Sequence, residues 1–82
     1  MTREAEAVAL GLTKAQARAV RALDGQAFTD WAKVYRQRRQ RISAHAMGLT
    51  EPERIGPVTM WCSIRLTPLG IEVRRILQER KP

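Results

Sequence analysis

The stretch Arg65-Leu66-Thr67-Pro68-Leu69-Gly70-Ile71-Glu72-Val73-Arg74-Arg75-Ile76-Leu77 decides how this chain is read. Before it, Val58 to Leu66 alternates as a strand does, with Val58, Met60, Cys62, Ile64 and Leu66 on one face and Thr59, Trp61, Ser63 and Arg65 on the other. The first face is expected to be core. Thr67 then offers its hydroxyl as an N-cap, and Pro68 takes the first helical position, where a missing N–H removes no hydrogen bond. A strand is thus expected to become a helix at one residue. That helix, Pro68 to about Glu79, should bury Leu69, Val73, Ile76 and Leu77 and turn Glu72, Arg74, Arg75 and Arg80 outward.

Upstream, residues 3 to 10 form an Ala- and Glu-rich helix whose Ala5, Val8, Ala9 and Leu12 share a face, and Gly11 interrupts it. Thr13 reads as a fresh N-cap for Lys14 to Leu23, with a core stripe of Leu12, Gln16 or Ala19, Val20 and Leu23. Asp24-Gly25 is expected to end it, with Gly25 left-handed. Trp31, Val34 and Tyr35 recur at spacings of three and four, giving a short helix over 30 to 36 with Thr29 or Asp30 as cap. Arg36-Gln37-Arg38-Arg39-Gln40-Arg41 holds neither Gly nor Pro, so one continuous helix over 30 to 47 competes with two.

On the later helix, Ile42, Ala46 and Leu49 make the expected inward stripe, and Gly48 ends it. Thr50 to Ile55 should pair as a short strand with Val58 to Leu66 across Gly56-Pro57, although Thr50 to Glu53 also fits a capping box and so a helical turn. Trp31 and Tyr35 are expected in the core, Cys62 as a small buried hydrophobe, and Trp61 as cover for another helix or as a dimer contact.

With 82 residues the chain makes one small domain, without room for a deep substrate cavity beside a core. Lys plus Arg number 15 against 8 Asp plus Glu, a formal +7, and 12 of the cations are arginines, which suit phosphates and guanine edges. A polyanionic partner is indicated; the plainer alternative is charge that serves solubility. Cys62 is the only cysteine, so neither an internal disulfide nor a zinc cluster is available, as fits a reducing cytoplasm. No run approaches the roughly 18 apolar residues of a membrane span, and Met1-Thr2-Arg3-Glu4-Ala5-Glu6 lacks the order of a signal peptide. A cytoplasmic protein with no membrane partner is expected.

Lys33, Arg36, Arg38, Arg39 and Arg41 place five cations in nine residues, and no acid occurs from Trp31 to Thr50. Such density repels itself unless an anion lies against it, which is the footprint of a nucleic-acid binder. With Ile42 and Ala46 inward, Gln37, Gln40, Arg41 and Ala44 would point away from the core, flanked by Ser43 and His45. Gln pairs bidentately with adenine and Arg with guanine, so this face could read base edges. Arg54 and Arg65 near the hairpin, and Lys14 or Arg18 on the earlier helix, would add backbone contacts. The lone His45 has no triad or metal partners in sequence, the acids are not spaced for paired acid/base work, and no Gly-rich phosphate loop is present. Neither an enzyme, nor a metal, nor a cofactor is expected.

The Leu66-Thr67-Pro68-Leu69-Gly70 junction, together with the Ala46-Met47-Gly48-Leu49 exit, resembles the wing-to-last-helix junction of bacterial winged helix-turn-helix DNA-binding proteins, including the MarR-like regulators. The resemblance implies a mainly α fold with a small β-hairpin: one winged helix domain over 1–82, with 1–11 an N-terminal helix extension, 12–77 the core and 78–82 the C-terminal end. It also implies a bend within 36 to 39, because one helix must cross the duplex and the next lie in its groove. The chain departs from the family in lacking the small-residue turn between those two helices and in its short hairpin. The expected function is a small transcriptional regulator gripping duplex DNA through Arg36 to His45, with a homodimer arising through the last helix or Trp61. The rival is a winged-helix adaptor or inhibitor whose basic face binds a protein partner of a nucleic-acid enzyme. An RNA or nonspecific nucleic-acid binder would want more exposed aromatics than the four here, two of which are expected in the core.

Overall fold

A computed structural model describes residues 2–79. Its elements are α1 (Thr2–Gly11), α2 (Lys14–Ala22), β1 (Thr29–Asp30), α3 (Arg38–Ala46), β2 (Thr50–Pro52), β3 (Ser63–Leu66) and α4 (Pro68–Glu79). Single 3-10 turns occupy Trp31–Lys33 and Val58–Met60. The chain is therefore mostly helical with a small antiparallel sheet. Arg80, expected on the outer face of the last helix, and Lys81-Pro82 lie outside the described residues.

At the β3–α4 junction the Gly70 N–H donates to Thr67 Oγ1 at 3.1 Å, so Thr67 caps α4. Its hydroxyl also donates to the Gly48 carbonyl, and its N–H donates to the Leu49 carbonyl at 3.0 Å. One residue thus starts α4 and ties it to the end of α3. Gly70 permits that approach, since a Cβ there would run into the Leu49 carbonyl oxygen. Helix α3 ends in a Schellman motif: Gly48, at φ 78, donates to His45 O at 2.9 Å, and Leu49 donates to Ala44 O at 3.0 Å.

The strand order is β1-β3-β2, with Thr29 opposite Ile64, and Thr50, Glu51 and Pro52 opposite Leu66, Arg65 and Ile64. Ile64 and Leu66 face the core as expected. The expected strand from Val58 is cut to four residues: Val58–Met60 is a 3-10 turn, and Val58, Met60 and Cys62 are exposed. Pairing with β2 ends at Glu53 N–H to Ser63 O at 2.8 Å; beyond it Ile55 N–H donates to Glu53 O and Cys62 N–H to Met60 O, so both segments turn and the upstream alternation finds no partner strand. Because β2 is extended, the helical turn at Thr50 to Glu53 does not form.

Helix α2 starts at Thr13, whose Oγ1 accepts from Gln16 N–H at 3.2 Å, and it buries Gln16, Ala19 and Val20. It ends at Leu23 in extended backbone rather than through a left-handed Gly25. Gly25 is small for another reason: a Cβ there would collide with the Ile71 side chain. The helix expected over 30 to 36 shrinks to the 3-10 turn, capped by Asp30 Oδ1 accepting from Ala32 N–H at 3.1 Å. Thr29 and Asp30 are drawn into the sheet and Trp31 N–H donates to Cys62 O at 2.9 Å, so the helix begins late and stops early. Gln37 is extended, which breaks the alternative continuous helix inside the expected 36–39 window.

The core gathers Ala5 and Ala9 of α1, Ala19, Val20 and Leu23, then Tyr35, Ala44, Leu49, Ile64, Leu66, Val73 and Ile76. Helices α1 and α2 both pack on α4. Each large side chain fully buried here, such as Leu23 or Leu66, contributes about 1.5–3 kcal/mol of hydrophobic stabilisation. Trp31, Val34, Leu69 and Leu77 are partly buried around this centre.

Candidate nucleic-acid interface

Helix α3 is held at its start by a buried polar relay. The Gln16 amide nitrogen donates to the Gln40 carbonyl at 2.8 Å, and its oxygen accepts from the Tyr35 hydroxyl at 3.1 Å. Burial pushes the Tyr35 pKa up from 10.0 to about 12, so its hydroxyl stays a donor well into the alkaline range. Gln16, expected as one option for the core stripe of α2, is thus the residue that sets the height of α3. At the other end, Gly48 and Thr67 fix α3 to α4.

The helix is rotated relative to the expected stripe. Ala44 is fully buried, whereas Ile42 is 53% exposed and Ala46 is exposed. Leu49 is buried, but it follows the left-handed Gly48 and so does not belong to the helical face that includes Ile42. The small Ala44 lets the α3 backbone come close to the core, and Arg38, Arg39, Ile42, Ser43, His45 and Ala46 form the exposed side.

That rotation sorts the expected site residues. Lys33, Arg36, Arg38 and Arg39 are exposed, and Arg39 Nε donates to Gln37 Oε1 at 2.8 Å. Gln37 N–H in turn donates to Gln40 Oε1 at 3.3 Å, so both glutamines serve the start of α3, and half-buried Gln40 does not stand free as expected. Arg41 was expected outward and is half-buried: its Nη1 donates to Trp61 O at 3.4 Å, and its guanidinium lies 5.5 Å from the Trp31 ring centroid. Arg65 pairs with Glu51 at 3.0 Å and lies 4.5 Å over the Phe28 ring, which occupies it structurally. Arg54 is exposed, 5.6 Å over Trp61. Exposed His45 has Nδ1 3.3 Å from the Thr50 carbonyl, which accepts from it in the Nδ1–H form. Ser43 faces a second shallow groove shared with Thr13 and Gln16. Lys14 and Arg18 are exposed on α2.

Among the described residues the ion pairs are Arg65–Glu51, Arg75–Glu72 and Arg75–Glu79. None engages a cation between Lys33 and Arg41. Between α3 and the β2–β3 loop lies an open cleft of about 510 Å³, lined by Trp31, Ile42, His45, Arg54, Val58 and Trp61 among others. Cys62, expected to be buried, also lines it and is exposed. The apolar loop beside the cleft was missed at sequence level because Val58 and Met60 alternate in register with the truly buried Ile64 and Leu66. Among the described residues no group of three or more His, Cys, Asp or Glu could hold a metal ion, and no helix is long and apolar enough to cross a membrane. No family model matches this chain, and neither a curated protein nor a solved structure matches it.

Proposed function

We propose that this chain is a winged helix-turn-helix module that binds duplex DNA and acts as a small transcriptional regulator. The observation that carries the reading is the cation cluster Lys33, Arg36, Arg38 and Arg39, exposed on and just before α3 with no carboxylate partner among the described residues. Unpaired like charges at this density are stabilised by a polyanion. The element order supports it: α2, β1, a short turn, α3, the β2–β3 hairpin and α4, with strand order β1-β3-β2, resembles the order expected of a winged helix. In this reading the 3-10 turn at Trp31–Lys33 stands where the family has its second helix. Arg54 on the loop and Lys14 and Arg18 on α2 add phosphate contacts, and a homodimer would address paired half-sites.

Fluorescence anisotropy with a random duplex and a duplex from the upstream region, each at two salt concentrations, tests this. Tighter and less salt-sensitive binding to the upstream duplex is expected. No binding to either defeats the reading and favours the second one, an adaptor gripping an acidic protein, for which the apolar cleft lining of Trp31, Ile42, Val58 and Trp61 speaks.

A further inference from the structure

The loop from Glu53 to Cys62 presents three large apolar side chains to solvent, Ile55 at 60%, Val58 at 69% and Met60 at 66% exposure. It is nonetheless built rather than slack. Gly56 turns it at φ 66, Met60 N–H donates to Pro57 O at 2.8 Å, and Trp61 Nε1 donates back to Gly56 O at 3.1 Å. A preformed apolar tip of this kind has a solvation cost and no partner within the described chain.

We infer that this tip is a wedge that enters the minor groove of a duplex and opens a base step, bending the DNA; this rests on the duplex-binding reading above. Ile, Met and Pro are among the side chains that slide between base pairs, and Ile55, Pro57 and Met60 fall on this one loop. Charge selects the occupant. Half-buried Glu53 opens the loop, but no carboxylate follows from Arg54 to Ile71, and the cleft beside the tip is lined by Arg38, Arg41 and Arg54 with no acid. A second copy docking tip to tip would bring these cations against their own counterparts. A duplex offers phosphates to the cations and stacked base faces to the apolar tip.

The test uses a duplex of about 30 base pairs with a dye at each end and 2-aminopurine at a central TA step, the most deformable kind. Anisotropy on the same samples reports occupancy. At saturation the wild-type chain should raise end-to-end energy transfer, as a bend of roughly 20–90° requires, and brighten 2-aminopurine. The variant Ile55→Ser/Val58→Ser/Met60→Ser, altered only at exposed positions, should saturate the duplex and produce neither signal. Saturation by wild type without either signal overturns the wedge and leaves duplex binding standing; no saturation removes both. A variant that still bends the duplex overturns the wedge as well. So does a free wild-type dimer in sedimentation that the serine variant abolishes, since the tip would then serve a second copy.

Discussion

Replacing Arg36, Arg38 and Arg39 together by Ala removes three exposed cations that no described carboxylate pairs. With each guanidinium on one phosphate, each contributes about 0.9 to the slope of log affinity against log salt, so the variant slope flattens by about 2.7. Over a rise from roughly 50 to 200 mM salt, the variant then loses about 40-fold less affinity than the wild type. The assay is duplex anisotropy at four salt concentrations, with circular dichroism as the fold check. Ala is the better helix former at Arg38 and Arg39, so α3 should persist. Arg41→Ala is the contrast. Its Nη1 donates to Trp61 O, its guanidinium lies over the Trp31 ring and its Nε is buried, so this change should leave the slope nearly intact while weakening the packing of α3 on the sheet. An unchanged slope in the triple variant takes the segment out of the interface. A flattening of about one unit by Arg41→Ala alone refutes the structural role assigned to that residue.

Tyr35→Phe leaves Gln16 Oε1 buried without its donor and should cost about 1–3 kcal/mol at pH 7, read by urea denaturation. The raised Tyr35 pKa stabilises the fold fully below pH 10 and is lost as pH rises toward about 12, so wild-type stability should fall across that window and the gap to Tyr35→Phe should narrow. Gly70→Ala drives a Cβ into the Leu49 backbone carbonyl and should cost about 1–3 kcal/mol. Gly25→Ala meets only the flexible, partly exposed end of Ile71 and should cost clearly less, both variants being compared by thermal melts. Thr67→Ala removes the α4 cap and the donor to Gly48 O, for a loss of about 1 kcal/mol or more by denaturant titration. Cys62 should react stoichiometrically with a thiol reagent in the folded protein; protection would place it in the core after all.

The helix ends were legible because capping is local chemistry. Thr13, Gly48 and the Thr67-Pro68 pair each act on backbone groups within four residues, and each does what its side chain predicts. The candidate site was legible in its cations and not in its orientation. Arg41 looked free because only the fold shows the carbonyl of Trp61 and the ring of Trp31 that engage it, whereas the bond that occupies Gln40 is a local cap to Gln37 three residues earlier.

What the chain determined by itself is therefore what neighbouring residues decide: where α2, α3 and α4 start or stop, the inward placing of Ile64 and Leu66, and a basic segment free of acids. Tertiary structure decided the rest. The rotation of α3 follows from the bond between Gln16 and Gln40, 24 residues apart, and from the room that Ala44 leaves. The length of β3 follows from a partner strand that begins at Thr50 and turns away after Glu53, whose carbonyl accepts from Ile55 N–H. Val58, Met60 and Cys62 keep the alternation of a buried strand, yet burial needs a surface opposite, and in this chain that surface ends at Ile64.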